Sequence, residues 1–286
     1  MKTAVIIPSL NSPLIDQVIH ALLGQQTKPS EIVIVGKDEL HLIPTEAPVR
    51  FIDTGKPVSA SVARNIGIQA TTNDLLLFLD SDCLPEPTWL EEHLKAHAAG
   101  HLVVGGGVLP KGSNYWSLSY NLTLFHEFYT TAPAGPRQYL PTLNLSVQRQ
   151  VIEKVGLLNE TLARGQDIEW TARMKAAGYP LYFWPQAAVD HQHNRTNFRS
   201  VWRDCARSGY HMRQVRLDNP EQIEGPNLLQ YRPLILGLSP VIAAWATSRI
   251  LWKRPSTFKQ HWQTIPAIYL TKIAWCWGAS RTTEPV

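Results

Sequence analysis

Asp80 and Asp82 stand one residue apart, directly after the continuous apolar run Leu75 to Leu79. In an α/β sheet ligands gather at the carboxyl ends of strands, so a carboxylate pair in that place is positioned to meet one. A hard divalent ion such as Mg²⁺ or Mn²⁺ takes oxygen ligands and commonly uses one or two carboxylates together with substrate phosphate oxygens. Asp80-Ser81-Asp82 fits that demand. The same tripeptide also reads as a turn or a helix cap, so its surroundings decide.

Those surroundings are built of short apolar runs alternating with helical patterns over the first hundred residues, the signature of βαβ units and a mostly parallel sheet flanked by helices. Ala4 to Ile7 reads as a buried strand. Ser12 then caps a helix with Pro13 at its first position, and Ile15, Val18, Ile19 and Leu22 form its inward stripe. Ile32 to Val35 and Val49 to Ile52 read as the next two strands, Ser61 to Ala70 as a helix, and Leu75 to Leu79 as a strand covered on both faces. Further on, Leu102 to Val108 reads as a strand loosened by Gly105-Gly106-Gly107, and Leu181 to Trp184 as another. Helices are predicted around Gln148 to Val155, Asp167 to Ala177 and Asn197 to Val215. Trp116, Tyr120, Phe125, Phe128 and Tyr129 form either a buried cluster or an acceptor platform.

Read in order, "VIIPSLN", "EIVIV", "SVARNIGIQATTNDLLLFLDSD" and "LNLSVQRQVIEKVGLLNETLARGQDIEWTARMKAAGYPLYFWPQAAVDHQH" resemble the glycosyltransferase family 2 pattern over about residues 1 to 195. The carriers are Ala63-Arg64-Asn65-x-Gly67, the D-x-D, Val155-Gly156 with Asn159-Glu160, the acidic region before Arg173 and a late histidine. The resemblance implies a GT-A (Rossmann-like) fold, a nucleotide-diphosphate sugar donor, a divalent metal and inversion at the anomeric carbon. It implies that Pro8, Ser9 and Asn11 line the nucleotide pocket and that Arg64 approaches the base or phosphates. Asp80 and Asp82 would hold the ribose and the metal-bound diphosphate, with His191 as the late metal or phosphate ligand and His193 as its neighbouring alternative. Asp167 takes the position of the catalytic base, preceded here by Gln166 where the family usually has Glu. After the second strand, Gly36-Lys37-Asp38 replaces the usual acidic residues, so Asp38 reaches the donor base only through a one-residue shift.

In bland readings, Asp167 caps its helix, Arg64 pairs with Asp74 or another acid, and the two histidines sit in a surface loop. Rival functions are a nucleotidyltransferase acting on sugar phosphates and a noncatalytic protein that binds anionic lipid or nucleic acid. Dehydrogenases and P-loop kinases are disfavoured, because no G-x-G-x-x-G follows the first strand and no G-x-x-x-x-G-K-[ST] occurs. The Q-x-x-R-W of processive synthases is also missing, which favours one sugar per encounter in polysaccharide or glycolipid assembly.

Charge and hydropathy set the last third apart. Residues 199 to 286 hold twelve Lys/Arg against five Asp/Glu, a balance of +7 within a chain of net +4, which points to an anionic partner. Nucleic acid is not expected to be that partner, because it would give the acidic constellation no purpose. The three cysteines, Cys83, Cys205 and Cys276, fit neither a disulfide framework nor a zinc spacing and predict a reducing compartment. The apolar run that Pro8 ends is too short for a signal-peptide core, so the catalytic part is expected in the cytoplasm. Arg195, Arg199, Arg203 and Arg207 recur every four residues, tolerable as a solvated face but better matched by lipid head groups or the donor diphosphate. Pro233 to Ser248 carries no charge and Gln263 to Ser280 only Lys272, yet both fall short of the roughly 20 residues that span a bilayer. Crossing as a hairpin would also strand Lys253, Arg254 and Lys259 outside. These features predict a GT-A catalytic domain over 1–230 and an apolar helical extension over 231–286. The extension is expected to lie in the plane of the inner face of the cell membrane, beside a glycan or lipid-linked acceptor; packing on the catalytic domain or an oligomer interface is the alternative.

Overall fold

The computed structural model describes residues 1–44, 46, 48–221, 223 and 231–282. The chain forms two compact units: Met1–Leu109, Pro133–Thr161 and Gln166–His191 make the first, and Pro110–Ala132, Leu162–Gly165 and Gln192–Val286 the second. The sequence-based boundary at residue 230 lies outside the described residues.

In chain order the first unit contributes β1 (Thr3–Leu10), α1 (Ile15–Leu23), β2 (Glu31–Lys37), β3 (Val49–Asp53), α2 (Ala60–Ala70), β4 (Leu75–Leu79), β5 (Cys83–Pro85), α3 (Trp89–Ala98) and β6 (Val103–Val108). After α4 (Tyr115–Leu124), which belongs to the second unit, it resumes with β7 (Gly135–Pro136), β8 (Asn144–Gln148), α5 (Arg149–Val155), α6 (Gln166–Ala176) and β9 (Leu181–His191). The nine strands make one sheet of order β3-β2-β1-β4-β8-β6-β9-β5, with β7 also on β9. The α/β architecture with a helix-flanked central sheet is the one expected. Its first half is parallel, β1 pairing with β2 and β4 and β2 with β3. In the second half β8 runs antiparallel to β4 and β6, while β6 and β9 are parallel.

Strands β1 to β3 step outward one way, and the chain then returns to lay β4 on the other side of β1. The order reverses between β1 and β4, so their carboxyl ends frame the crevice where such sheets take ligands. β4 is completely buried, as its uninterrupted Leu-Leu-Leu-Phe-Leu requires. Helix α2 is capped by Ser59, whose hydroxyl accepts the Val62 N–H at 3.3 Å, and packs Ala63 against Val33 and Val35. At Gly67 an added Cβ would lie 2.5 Å from Cγ2 of Ile6, so the bare glycine lets the helix approach β1 closely.

Two local expectations change. Ser12 does not cap α1, which begins at Ile15 after Leu14; its hydroxyl instead donates to the Ser81 carbonyl at 2.9 Å, tying the loop after β1 to the D-x-D segment. β9 does not end at Trp184 but continues past Pro185 to His191. The proline is absorbed by a register shift: Gly106 pairs with Trp184 and Gly107 with Ala188.

A buried polar network holds the middle of the sheet. Asn144, opposite Leu79 in register, donates to the carbonyls of Gly107 and Ala187 and accepts from the Trp89 indole and from His93. Ser146 donates to the other nitrogen of His93 and accepts from His97 at 2.7 Å. Burial holds the two imidazoles neutral, with pKa values lowered to about 3 and about 4.

The second unit is helical: α4, α7 (Phe198–Asp218), α8 (Arg232–Gly237), α9 (Ser239–Lys253), α10 (Pro255–Gln260), a 3₁₀ turn Trp262–Thr264 and α11 (Ile265–Ala279). α7 opens with a capping box between Asn197 and Ser200. α11 packs along α7 at two glycines: a Cβ on Gly209 would meet the Trp275 carbonyl at 2.0 Å, and one on Gly278 the Ala206 carbonyl at 1.8 Å. Tyr120, Val201, Cys205 and Ala274 form a core beside this contact. Tyr120, Phe125, Phe128 and Tyr129 are buried and Trp116 packs against the core that holds Tyr120, so these aromatics are buried rather than an open platform. Asp204 takes hydrogen bonds from Tyr120 and Arg164, with Arg195 3.3 Å away; burial pushes its pKa up, but these partners pull it to about 2. Arg195 thus belongs to an internal ion cluster and not to the exposed arginine stripe. Among the described residues no helix is long and apolar enough to cross a membrane.

Candidate active site

The D-x-D follows β4 at the carboxyl edge of the sheet, with the Asp80 N–H bonded to the Leu143 carbonyl at 3.3 Å. α2 delivers Arg64 to the same place, and its guanidinium meets Asp80 at 2.5 Å while remaining almost fully buried. Arg64 therefore pairs with an acid of the D-x-D itself; Asp74 instead accepts the Lys2 N–H. The rest of the motif is structural. Asn65 donates to the Leu158 carbonyl and to Glu160 and accepts the Leu158 N–H, clamping the segment that leads toward α6, while Gly67 seats the helix.

β9 brings His191 beside the second carboxylate, with Nε2 3.6 Å from Oδ2 of Asp82. Cys83, paired in register with His191 across β5 and β9, adds its thiol, and the three ligand atoms lie within 4.8 Å of one another. Burial pushes the Cys83 thiol well above its usual range, and the neighbouring Asp82 and Asp80 push it further, so it is an uncharged wall. Carboxylate oxygen with one imidazole suits Mn²⁺ better than a thiolate-seeking metal, and the donor set fits a divalent ion completed by phosphate oxygens. His193, the alternative to His191, lies in the second unit, where its Nδ1 accepts the Arg195 N–H and its ring meets Tyr120.

At the end of β1, Ser9 is buried and Pro8 partly so, and Asn11 adopts a left-handed φ of 53°. Asn11 is fixed there by reciprocal hydrogen bonds with Glu39, its amide donating to the carboxylate and its carbonyl accepting the Glu39 N–H. Ser9 Oγ and Arg64 Nε are buried without a hydrogen-bond partner among the described residues. Two such orphans at the switch point of the sheet fit a polar ligand that completes them. Asp38 accepts the N–H groups of Leu42 and Ile43 and so closes its own loop; contact with a donor base would use its remaining lone pairs.

Asp167 lies in the first turn of α6, partly buried. Burial raises its pKa above the ordinary carboxylate value; the Ile168 N–H and Arg64 act against this, and Asp80 adds to it. Asp167 thus shares an electrostatic neighbourhood with the Arg64–Asp80 pair. Glu169, the other acid of that turn, is buried and held by Arg173, whose guanidinium also bonds the Val155 and Leu157 carbonyls. Sequence reasoning missed Cys83 beside Asp82 and His191, visible only once β5 and β9 are paired.

Residues 4–155 match the family model described as Glycosyl transferase family 2. Glycosyltransferase AglE of Haloferax volcanii is 34% identical over 122 residues, 42% of this chain and 40% of that protein. The pre-mycofactocin glycosyltransferase of Mycobacterium tuberculosis is 33% identical over 150 residues, 49% of this chain and 31% of that protein. The matched stretches thus span less than half the length of either relative. Among solved structures, the mannosyltransferase PcManGT of Pyrobaculum calidifontis in complex with GDP-Man and Mn²⁺ superimposes with a TM-score of 0.62 over 95% of this chain and 85% of that one, at 15% identity. That likeness speaks to the fold alone, and the family match covers more than half of the sequence and includes β1, Arg64 and the D-x-D. The chain therefore belongs to glycosyl transferase family 2.

Proposed function

We propose that the chain is a metal-dependent, inverting glycosyltransferase that moves one sugar from a nucleotide-diphosphate sugar to an acceptor hydroxyl, in polysaccharide or glycolipid assembly. The observation that carries this reading is the cluster at the carboxyl ends of β1 and β4. There Arg64 is locked on Asp80, Asp82 faces His191, and Asp167 is raised in pKa within reach of the Arg64 and Asp80 charges. A divalent ion held by Asp82 and His191, Mn²⁺ or Mg²⁺, would neutralise charge developing on the leaving diphosphate. Arg64 orients Asp80 toward the donor, and Pro8, Ser9, Asn11 and Asp38 line the nucleotide side. Asp167 takes the acceptor's proton as the new bond forms. Glu169 is unsuited to that role, because Arg173 already engages both of its oxygens.

Donor chemistry is assigned to residues 1–230 and peripheral membrane attachment to 231–286, with the acceptor a glycan or a lipid-linked sugar at the inner face of the cell membrane. Supporting the second assignment, Trp245, Trp252 and Trp262 are 58%, 88% and 69% exposed, while Trp275 turns inward against Ile235 and Cys276. The test of the chemistry is stereochemical. Excess enzyme, an α-linked nucleotide sugar and Mn²⁺ should release the β-sugar first when followed by proton NMR. First release of the α-sugar, or undiminished turnover in EDTA, overturns the reading.

A further inference from the structure

We propose that the groove between α7 and α11 is a seat for the phosphate headgroup and upper acyl chain of an anionic phospholipid at a bilayer surface. The proposal rests on the peripheral attachment put forward above and gives it a location. The groove has a volume of about 690 Å³, within the roughly 300–1,000 Å³ of small-ligand sites. Its walls are aromatic: Phe198, Trp202 and Tyr210 come from α7 and Trp277 from α11. Its charged lining is arginine throughout, Arg199, Arg203 and Arg207 one turn apart on α7 and Arg281 just beyond α11.

None of these four arginines forms an ion pair with an acid among the described residues. Arg281 lies over the Trp277 ring, 3.7 Å from its centroid. Like charges at i, i+4 repel, so an exposed run of three is relieved by an anion laid along it. Free phosphate would satisfy the arginines but leave the aromatic walls wet, whereas an amphiphile satisfies both. The same unit exposes further apolar side chains suited to a head-group boundary, Val241 at 66% and Leu236 at 51% alongside the three tryptophans named above.

The experiment is flotation of the full chain with vesicles of phosphatidylcholine alone and of equal parts phosphatidylcholine and phosphatidylglycerol. Wild type should float with the acidic vesicles. Arg203→Glu with Arg207→Glu, both exposed, should weaken that binding by about thirtyfold or more, since each basic residue near an anionic surface contributes roughly a fivefold factor. Lys28→Glu with Lys154→Glu makes the same charge change at exposed positions of the first unit and should retain most of it. Trp277→Ala should weaken acidic-vesicle binding without altering the net charge. Absence of any preference of wild type for acidic vesicles, or equal losses in the groove pair and the control pair, would overturn the proposal. A Mn²⁺-dependent thermal shift with nucleotide sugar, measured on the same variants, keeps a failure of the groove distinct from a failure of the donor site.

Discussion

Asp167 sits where burial penalises its charge, so the carboxylate that transfer requires is the form the fold disfavours. Asp167→Asn is therefore expected to lower transfer by about two to four orders of magnitude while keeping donor affinity. The same change should leave the melting temperature at neutral pH equal or higher. The sign follows from linkage: an acid whose folded pKa lies above its unfolded value subtracts stability once pH rises through that window, and amidation removes the subtraction. The acid limb of the rate profile should lie above the ordinary Asp value of 3.8. Metal-supported donor binding should vanish in Asp82→Ala and weaken in His191→Ala, read by calorimetry with Mn²⁺. An effect of His193→Ala in place of His191→Ala would overturn the assignment of His191 and move it to His193. At this scale a residue's place in the fold was legible wherever it stands at or just after a strand end, as Asp80, Asp82 and Ser9 do. Cys83 was hidden because its neighbour in the site, His191, is brought to it by a strand pairing across more than a hundred residues.

α1 and β4 were legible because each repeats one rule along its whole length, an inward apolar stripe at helical spacing in one case and unbroken apolarity in the other. α3, β8 and α4 were not, since their buried faces carry polar side chains: His93, His97, Asn144 and Ser146 bond one another in the first unit, and Ser119, Asn121 and Thr123 on α4 donate to backbone carbonyls. Periodicity counts apolar residues and is blind to a stripe of paired histidine and serine. That network carries a prediction. The folded state holds His93 and His97 at about 3 and about 4 against 6.5 when exposed, so stability should be full above pH 6.5 and fall as pH drops toward 3. The slope should approach about 1.4 kcal/mol per pH unit for each such histidine, read from urea unfolding at a series of pH values. His93→Gln should flatten part of it. Asn65→Ala, which strands the Leu158 N–H and carbonyl, should destabilise by about 2 kcal/mol and loosen the segment before α6.

Over the whole molecule, the helix-flanked α/β plan could be read ahead, whereas the interleaving of the two contact units could not. The chain leaves the first unit at Pro110 and again at Leu162, placing α4 with α7 to α11, and a linear reading has no signal for such returns. α11 packs on α7 and α4, so a chain ending at residue 230 should expose Tyr120, Val201 and Cys205 and lose its solubility or its cooperative melt. The claim that binds these scales together is that β1, α2, β4 and β9 assemble a metal-assisted nucleotide-sugar site. The most direct test is the melting temperature of the full chain with UDP-, GDP- and dTDP-sugars, in Mn²⁺ and in EDTA. One donor is predicted to raise it by about 5 °C at a hundredfold excess over its Kd in Mn²⁺ only, with the shift abolished in Asp82→Ala. An equal shift in EDTA, or none with any donor, would contradict the account.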